Sequence, residues 1–310
     1  MKWHIILLFL ICLVTGHWCN AGGLTDTSTS RHVKLRSVDI KDVRWTEGFW
    51  NDRFDWCRKV VIPNMQRLLE DPEISHAYDN FLIAAGRKDG RHRGPKWHDG
   101  DFYKWLEAVA FIYAVTGDKE LDILMDRIIE VIAESQREDG YIHTPVIIAQ
   151  RQHLLRDSEF HNRLDFETYN MGHLMTCACV HYRATGKTNL LNIAKKAADF
   201  LNRSYKDSPN ILANNAICPS HYMGIIEMYR TCKDSRYLEL AKGLIDIRDL
   251  VKEGSDHNQD RIPFRQQTQA VGHAVRANYL YAGVADVYAE TGDASLLRAL
   301  EAIWNDVTYR

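Results

Sequence analysis

Several residues able to bind or transfer protons stand at the heads of helical patterns in this chain. His173 follows Gly172 in ETYNMGHL, His221 follows Ser220 in CPSHYMG, and His273 follows Gly272 in QAVGHAVRANYL. His98, Asp99 and Asp101 open a fourth such stretch, WHDGDFYKWLEA. Imidazole offers both a donor and an acceptor near neutral pH, so several imidazoles facing one space can grip a ligand rich in hydroxyls. Any one histidine is more often a packed structural residue, and it is the recurrence at helix heads that carries the reading. Helix N-termini add unpaired N–H groups to the same space. Trp97, Phe102, Tyr103, Trp105, Tyr169 and Tyr222 lie nearby with apolar faces suited to a sugar ring, core packing being the alternative for most of them.

Other chemistries find less in the sequence. The stretch DHNQDR from Asp256 imitates the start of a calcium loop, but Arg261 replaces the required glycine and Gln267 stands where a bidentate glutamate belongs. Three converging histidines could hold zinc, yet zinc ligands usually include a pair at short, fixed separation. No G-x-S-x-G, P-loop or dinucleotide fingerprint occurs, so acyl transfer, phosphoryl transfer and hydride chemistry have no motif behind them. Cys57, Cys177, Cys179, Cys218 and Cys232 form no C-x-x-C pair, and Cys177 and Cys179 would point to nearly opposite sides of a helix. They read as small buried residues rather than a disulfide framework or zinc knuckle.

The elements that must position these residues come from an internal repeat. IYAVTGDKEL, HYRATGKTNLL, MYRTCKDSRYL and VYAETGDASLL share a tyrosine, a helix-stopping turn and a leucine that opens the next pattern. Their tyrosines are Tyr113, Tyr182, Tyr229 and Tyr288, and three copies carry a glycine (Gly117, Gly186, Gly292) where a left-handed residue ends a helix. Each copy therefore predicts a helical hairpin. The patterns after each turn are amphipathic, as in LDILMDRIIEVIAESQ, whereas those before it are small and apolar all round, as in MGHLMTCACVHYRATG. Alternating inner and outer helices predict an all-α fold, an (α/α)6 barrel built as a toroid of hairpins. Four hairpins plus a helix beginning near Asp52 make fewer than six pairs, so the barrel is expected to be incomplete in this chain and to expose apolar inner-helix surface. Inner helices running side by side would bring the histidines and Asp101 to one mouth.

With 39 Lys+Arg against 41 Asp+Glu and no long run of one sign, the chain predicts neither a nucleic-acid partner nor an acidic tail. Residues 1–21 hold a lysine, an apolar run from Ile5 to Val14 and small residues at Cys19 and Ala21, the pattern of a cleavable signal peptide too short to span a bilayer. Lipid attachment at Cys19 is the weaker alternative. A secreted or periplasmic protein with no other membrane association is expected. Residues 22–50 alternate in polarity and predict an extended strap, leaving residues 51–310 for the helical domain. Asn202-Arg203-Ser204 is a glycosylation acceptor pattern, common by chance.

Taken in order, FWNDRFDW, DGDFYKWLEA, QREDGYIHT, ETYNMGHL, CPSHYMG and QAVGHAVRANYLYAGVAD resemble glycoside hydrolase family 127, the β-L-arabinofuranosidase-type catalytic domain, from about residue 36 onward. The resemblance implies an (α/α)6 barrel followed by a β-sandwich region, acting on terminal sugars of plant-type or glycoprotein glycans. It implies that His173, His221 and His273 contact sugar, with Ser220 where the family usually has glycine, and that Asp101 shapes the pocket floor. It also implies a zinc-bound cysteine nucleophile, a glutamate acid/base and a zinc held by three cysteines and a second glutamate. All of these are expected downstream of Arg310; no cysteine in this chain matches them, and no cofactor is expected on these residues. A non-catalytic carbohydrate-binding barrel and a lyase or epimerase using His273 or His221 as base are the alternatives.

Overall fold

A computed structural model of the chain describes residue 23 and residues 25–154 and 158–310. The signal-peptide pattern of residues 1–21, with Cys12 and Cys19, lies outside the described residues. Helix α1 (Gly48–Trp56) continues through a π-helical turn (Cys57–Val61) into α2 (Ile62–Glu70), and α3 (Ala77–Ala84) follows. Four hairpins come next. They pair α4 (His98–Thr116) with α5 (Lys119–Ser135), α7 (Glu167–Thr185) with α8 (Asn189–Asp207), α10 (His221–Cys232) with α11 (Ser235–Asp246), and α12 (Ala274–Thr291) with α13 (Ala294–Tyr309). Two short helices, α6 (Thr144–Arg151) and α9 (Pro209–Asn215), occupy connections between hairpins. The described residues contain no β-strand.

The four turns repeat one piece of local chemistry. Each inner helix ends on a left-handed residue whose N–H donates to the carbonyl of its repeat tyrosine at 2.8 Å: Gly117 to Tyr113, Gly186 to Tyr182, Lys233 to Tyr229 and Gly292 to Tyr288. Lys233 adopts this conformation without being glycine (φ 56°). In three hairpins the next residue caps the outer helix: Asp118, Asp234 and Asp293 accept from the backbone N–H two residues on.

The outer helices bury one stripe, such as Met125, Ile128, Ile129 and Ile132 of α5. The inner helix α7 is buried nearly all round, from Glu167 through His181. It packs on α4 and α10, and α10 packs in turn on α12. The inner helices thus form an arc with the outer helices behind it. The arc stays open: α12 carries an apolar groove with α13, lined by Tyr281, Ala282, Leu300, Ile303 and Trp304, and Trp304 is 67% exposed. This open set of hairpins is the incomplete barrel that the repeat predicts.

The strap crosses the C-terminal ends of the inner helices. Arg44 donates to the Val115 carbonyl, the His32 N–H to Ala289 O (3.3 Å), Lys233 to Thr29 Oγ1 (3.2 Å) and the Asp26 N–H to Glu227 Oε2 (3.3 Å). Helix α1 begins at Gly48, three residues inside the range expected to be extended. Asn202, the glycosylation candidate, is buried on α8.

Candidate functional site

An open cavity of about 300 Å3 lies on the concave side of the arc, and all four inner helices line it. Its walls follow the repeat. Lys104, His173, Ser220 and Tyr279 each stand nine residues before the repeat tyrosine of their own helix, and all four line the cavity. Glu107, Thr176 and Met223, six residues before it, form the next level down. Phe111, Glu227 and Asp286, two residues before it, form the floor together with Thr25 of the strap. Offsets of three and four keep these levels on one helix face. The pseudo-symmetry of the hairpins therefore builds one shaft, open towards the inner-helix heads and closed by the strap.

At the upper level, His173 packs edge-on against Tyr169 (ring centroids 4.5 Å apart) and Tyr279 (5.4 Å). Burial, helped by the Lys104 charge, pushes its imidazole down to about 3, so it is neutral at physiological pH. Its Nε2 has no hydrogen-bond partner among the described residues. Lys104 donates to Asp101 Oδ1 (3.0 Å) and to the Tyr169 hydroxyl, and its ammonium lies 4.9 Å from the centre of the Tyr169 ring. Ser220 donates to the Tyr169 carbonyl (2.9 Å), tying the head of α10 to α7.

The lower levels hold three carboxyl groups. Glu227 pairs with Arg183 and with Arg230 (2.6 Å), which also holds Asp286 (2.8 Å) and Glu290 (2.6 Å). Burial raises the Asp286 carboxyl to about 6 despite Arg230. Glu107 differs from these. Burial raises it to about 7, against the opposing pull of Lys104 and Arg183, and no described residue donates a hydrogen bond to it.

The three histidines expected at one mouth occupy three different settings. His173 lies inside α7, which begins at Glu167, rather than at the helix head, and it faces the cavity. His221 is the first residue of α10, eight residues before Tyr229 instead of nine, so it is turned about 100° from the cavity face. It is fully buried, both ring nitrogens lack partners, and burial near Arg248 pushes it down to about 3. His273 precedes α12 as its N-cap, exposed, with its ring 5.5 Å from that of His257. One histidine rather than three therefore faces the shaft.

The glycines before two of the histidines serve the backbone. A β-carbon at Gly172 would stand 2.6 Å from His221 Cα, and Gly272 (φ 77°) lies against the Asp256 carbonyl. Asp101 is partly exposed beside Lys104, above the shaft. Asp99 is buried and capped into α6, accepting from Thr144 N (2.8 Å) and Thr144 Oγ1 (2.7 Å). Burial alone would raise its carboxyl, but His143 and the Thr144 donors hold it below the usual range. Of the six aromatic candidates, Phe102, Tyr103, Trp105 and Tyr222 are core, with the Tyr222 hydroxyl on Leu244 O (3.1 Å). Lys104, Glu107, Glu227, Tyr279 and Asp286 escaped the sequence reading. Their signal was a charged or aromatic residue at a fixed offset from the repeat tyrosine within helices otherwise small and apolar.

The donor set does not fit a zinc centre. No group of three His, Cys, Asp or Glu among the described residues converges to hold a metal ion. Burial raises the Cys179 thiol to about 12 and the Cys218 thiol to about 11, away from the thiolate that a zinc site needs. Among the described residues no helix is long and apolar enough to cross a membrane.

Known proteins share this fold. The family model described as β-L-arabinofuranosidase, GH127 catalytic domain, matches residues 42–310. The non-reducing end β-L-arabinofuranosidase of Bifidobacterium longum subsp. longum is 31% identical over 307 residues, covering 87% of this chain and 46% of that protein. A solved GH127 β-L-arabinofuranosidase from Geobacillus stearothermophilus T6 superposes with a TM-score of 0.78 at 33% identity, over 86% of this chain and 45% of that one. A structure described as a glycoside hydrolase is 49% identical with a TM-score of 0.69, over 93% of this chain and 40% of that one. The chain thus spans less than half the length of these relatives.

Proposed function

The chain belongs to glycoside hydrolase family 127, and on that footing we propose that its axial shaft holds the terminal β-L-arabinofuranosyl unit of a plant-type or glycoprotein glycan. The observation that carries this reading is His173, a neutral imidazole on the wall of a cavity that four helices build together, its buried Nε2 without a partner among the described residues. The volume stands at the low end of the roughly 300–1,000 Å3 typical of small-molecule sites, which suits one sugar ring. Phe111, Met223 and Tyr279 offer apolar faces to the ring carbons, while His173 and Lys104 offer donors to its hydroxyls. Asp101 orients Lys104 through their ion pair. His273 stands six residues above Tyr279 on the same helix, where the remainder of a glycan would leave the shaft.

We propose, from the family resemblance, retaining chemistry through a covalent glycosyl-enzyme formed on a cysteine. We assign that cysteine, its zinc and the acid/base glutamate to the part of the family fold that these 310 residues do not span. Export is supported by the leader-like pattern of residues 1–21 and is tested by N-terminal sequencing of protein recovered from the medium or periplasm. The lyase or epimerase alternative draws no support from His221, which has no open side for a substrate proton.

The test is calorimetric titration of the chain with methyl β-L-arabinofuranoside. Wild type should bind, and His173→Ala should weaken binding by about tenfold, the worth of one or two hydrogen bonds. Absence of binding, or an undiminished affinity in the variant with its thermal melt unchanged, would count against the shaft as the sugar site.

A further inference from the structure

Among the described residues, one carboxyl of the shaft has no hydrogen-bond donor. Glu227 accepts from Arg183, Arg230 and the Asp26 N–H, and Asp286 accepts from Arg230. Glu107 lies on the wall between the sugar-sized upper level and this paired floor, and no described residue donates to it. Glu107 is half-buried on the open wall of the cavity, so the donors its oxygens lack within the described residues come from water or from a bound molecule that displaces it.

We propose that Glu107 is the specificity-determining residue of the shaft, its carboxylate accepting two hydrogen bonds from a pair of vicinal hydroxyls on the furanose ring. This rests on the reading of the shaft as a sugar site and names the residue that selects the sugar's hydroxyl pattern. Two carboxylate oxygens match two adjacent hydroxyl donors, and hydrogen bonds to a charged acceptor are stronger than neutral ones. Thr176, on the same level, adds no competing donor, because its hydroxyl is already given to the Gly172 carbonyl (3.2 Å).

The binding should depend on pH. The charged and titratable groups around Glu107 are Lys104 on its own helix, His173, Cys177 and Arg183 from α7, and Glu227 from α10. Tyr279 and Asp286 face the shaft from α12. His173 is neutral and Cys177 protonated throughout the neutral range. Burial lifts Tyr279 to about 12 and Asp286 to about 6, leaving Asp286 as the other group that titrates close to Glu107. Glu107→Gln separates the two, because it keeps the shape of the shaft and leaves Asp286 in place.

The experiment is calorimetric titration of wild type and Glu107→Gln with methyl β-L-arabinofuranoside and its 2-deoxy analogue between pH 6 and pH 8. The ionised fraction of a carboxyl titrating at about 7 rises roughly tenfold over that range, so wild-type affinity for the full glycoside should rise by about as much. The 2-deoxy analogue should bind weakly and show little of that rise. Glu107→Gln should bind weakly and with a flat profile. In wild type, carbon-13 NMR of the Glu107 carboxyl should show its pKa falling when the glycoside binds, a readout that stands even if the variant misfolds. A profile that survives in Glu107→Gln, or a Glu107 pKa that ignores the ligand, overturns the inference and leaves arabinoside binding intact. A wild type that binds no arabinoside overturns the sugar-site reading itself, and this inference with it.

Discussion

Gly172 and His221 meet backbone to backbone where α7 crosses α10: a β-carbon on Gly172 would stand 2.6 Å from both the Cα and the N of His221. Gly224, one turn further along α10, lies as close to the Gly172 carbonyl, with 2.5 Å from its own would-be β-carbon. This contact sets the spacing of the two central inner helices, and with it the width of the shaft between Thr176 and Met223. The glycine ahead of His173 therefore acts on the site through helix packing.

Gly172→Ala should push α10 off α7 and destabilise the fold by about 1–3 kcal/mol, the range for an over-packed interior. Urea denaturation followed by circular dichroism would read the loss. An unchanged midpoint would mean that the helices do not cross as closely as described.

Among the described residues, Arg230 is the cation shared by Glu227, Asp286 and Glu290 beneath the shaft. Arg230→Met takes their shared cation from all three, leaving Glu227 its Arg183 partner, Glu290 its Ser30 donor and Asp286 with neither, and should cost about 3–5 kcal/mol, as when one partner of a buried pair is removed. Arg230→Lys should recover part of that loss because one charge returns. Equal stability of Arg230→Met and wild type would contradict the network.

Acid should weaken the fold through its buried imidazoles. His221 is held at about 3 when folded against 6.5 ordinarily, so the unfolded chain binds the extra proton between those values. Stability from this group is fully present above pH 6.5 and is lost as pH falls towards 3. His221→Gln should flatten that part of the stability profile, whatever it does to the absolute value. A profile of the same steepness would exclude His221 as a source.

The thiols should divide by position. Cys177, Cys179 and Cys218 are buried, whereas Cys57 and Cys232 are half-buried, and burial holds the thiols of the first three and of Cys232 above their ordinary range. An aromatic disulfide reagent should react with the native protein at Cys57 and Cys232 alone and reach the other three in urea. Native labelling of Cys177 would show that the α4–α7 contact opens readily.

The four hairpins were legible in the sequence because their causes are local. A tyrosine and a left-handed terminator recur in all four and a capping aspartate in three, within a few residues of one another, and each acts on its own turn. The open barrel followed from counting them, and the division into inner and outer helices followed from how apolar residues are spread around each helix. The site was only partly legible. Recurrence of histidine at helix heads pointed to the right helices but not to the right faces, since one residue of offset turns a side chain by about 100°. His173 and His221 differ by that single residue relative to their repeat tyrosines, and one faces the shaft while the other is sealed beside Tyr222. What the sequence determined by itself was the repeat, its turns and the family's motifs. Which side chains share the shaft, that Glu107 stands there unpaired, and that Arg230 gathers three carboxyl groups below it were decided by the tertiary structure, because the phase and spacing of neighbouring helices depend on contacts such as Gly172 on His221 between residues far apart in the chain.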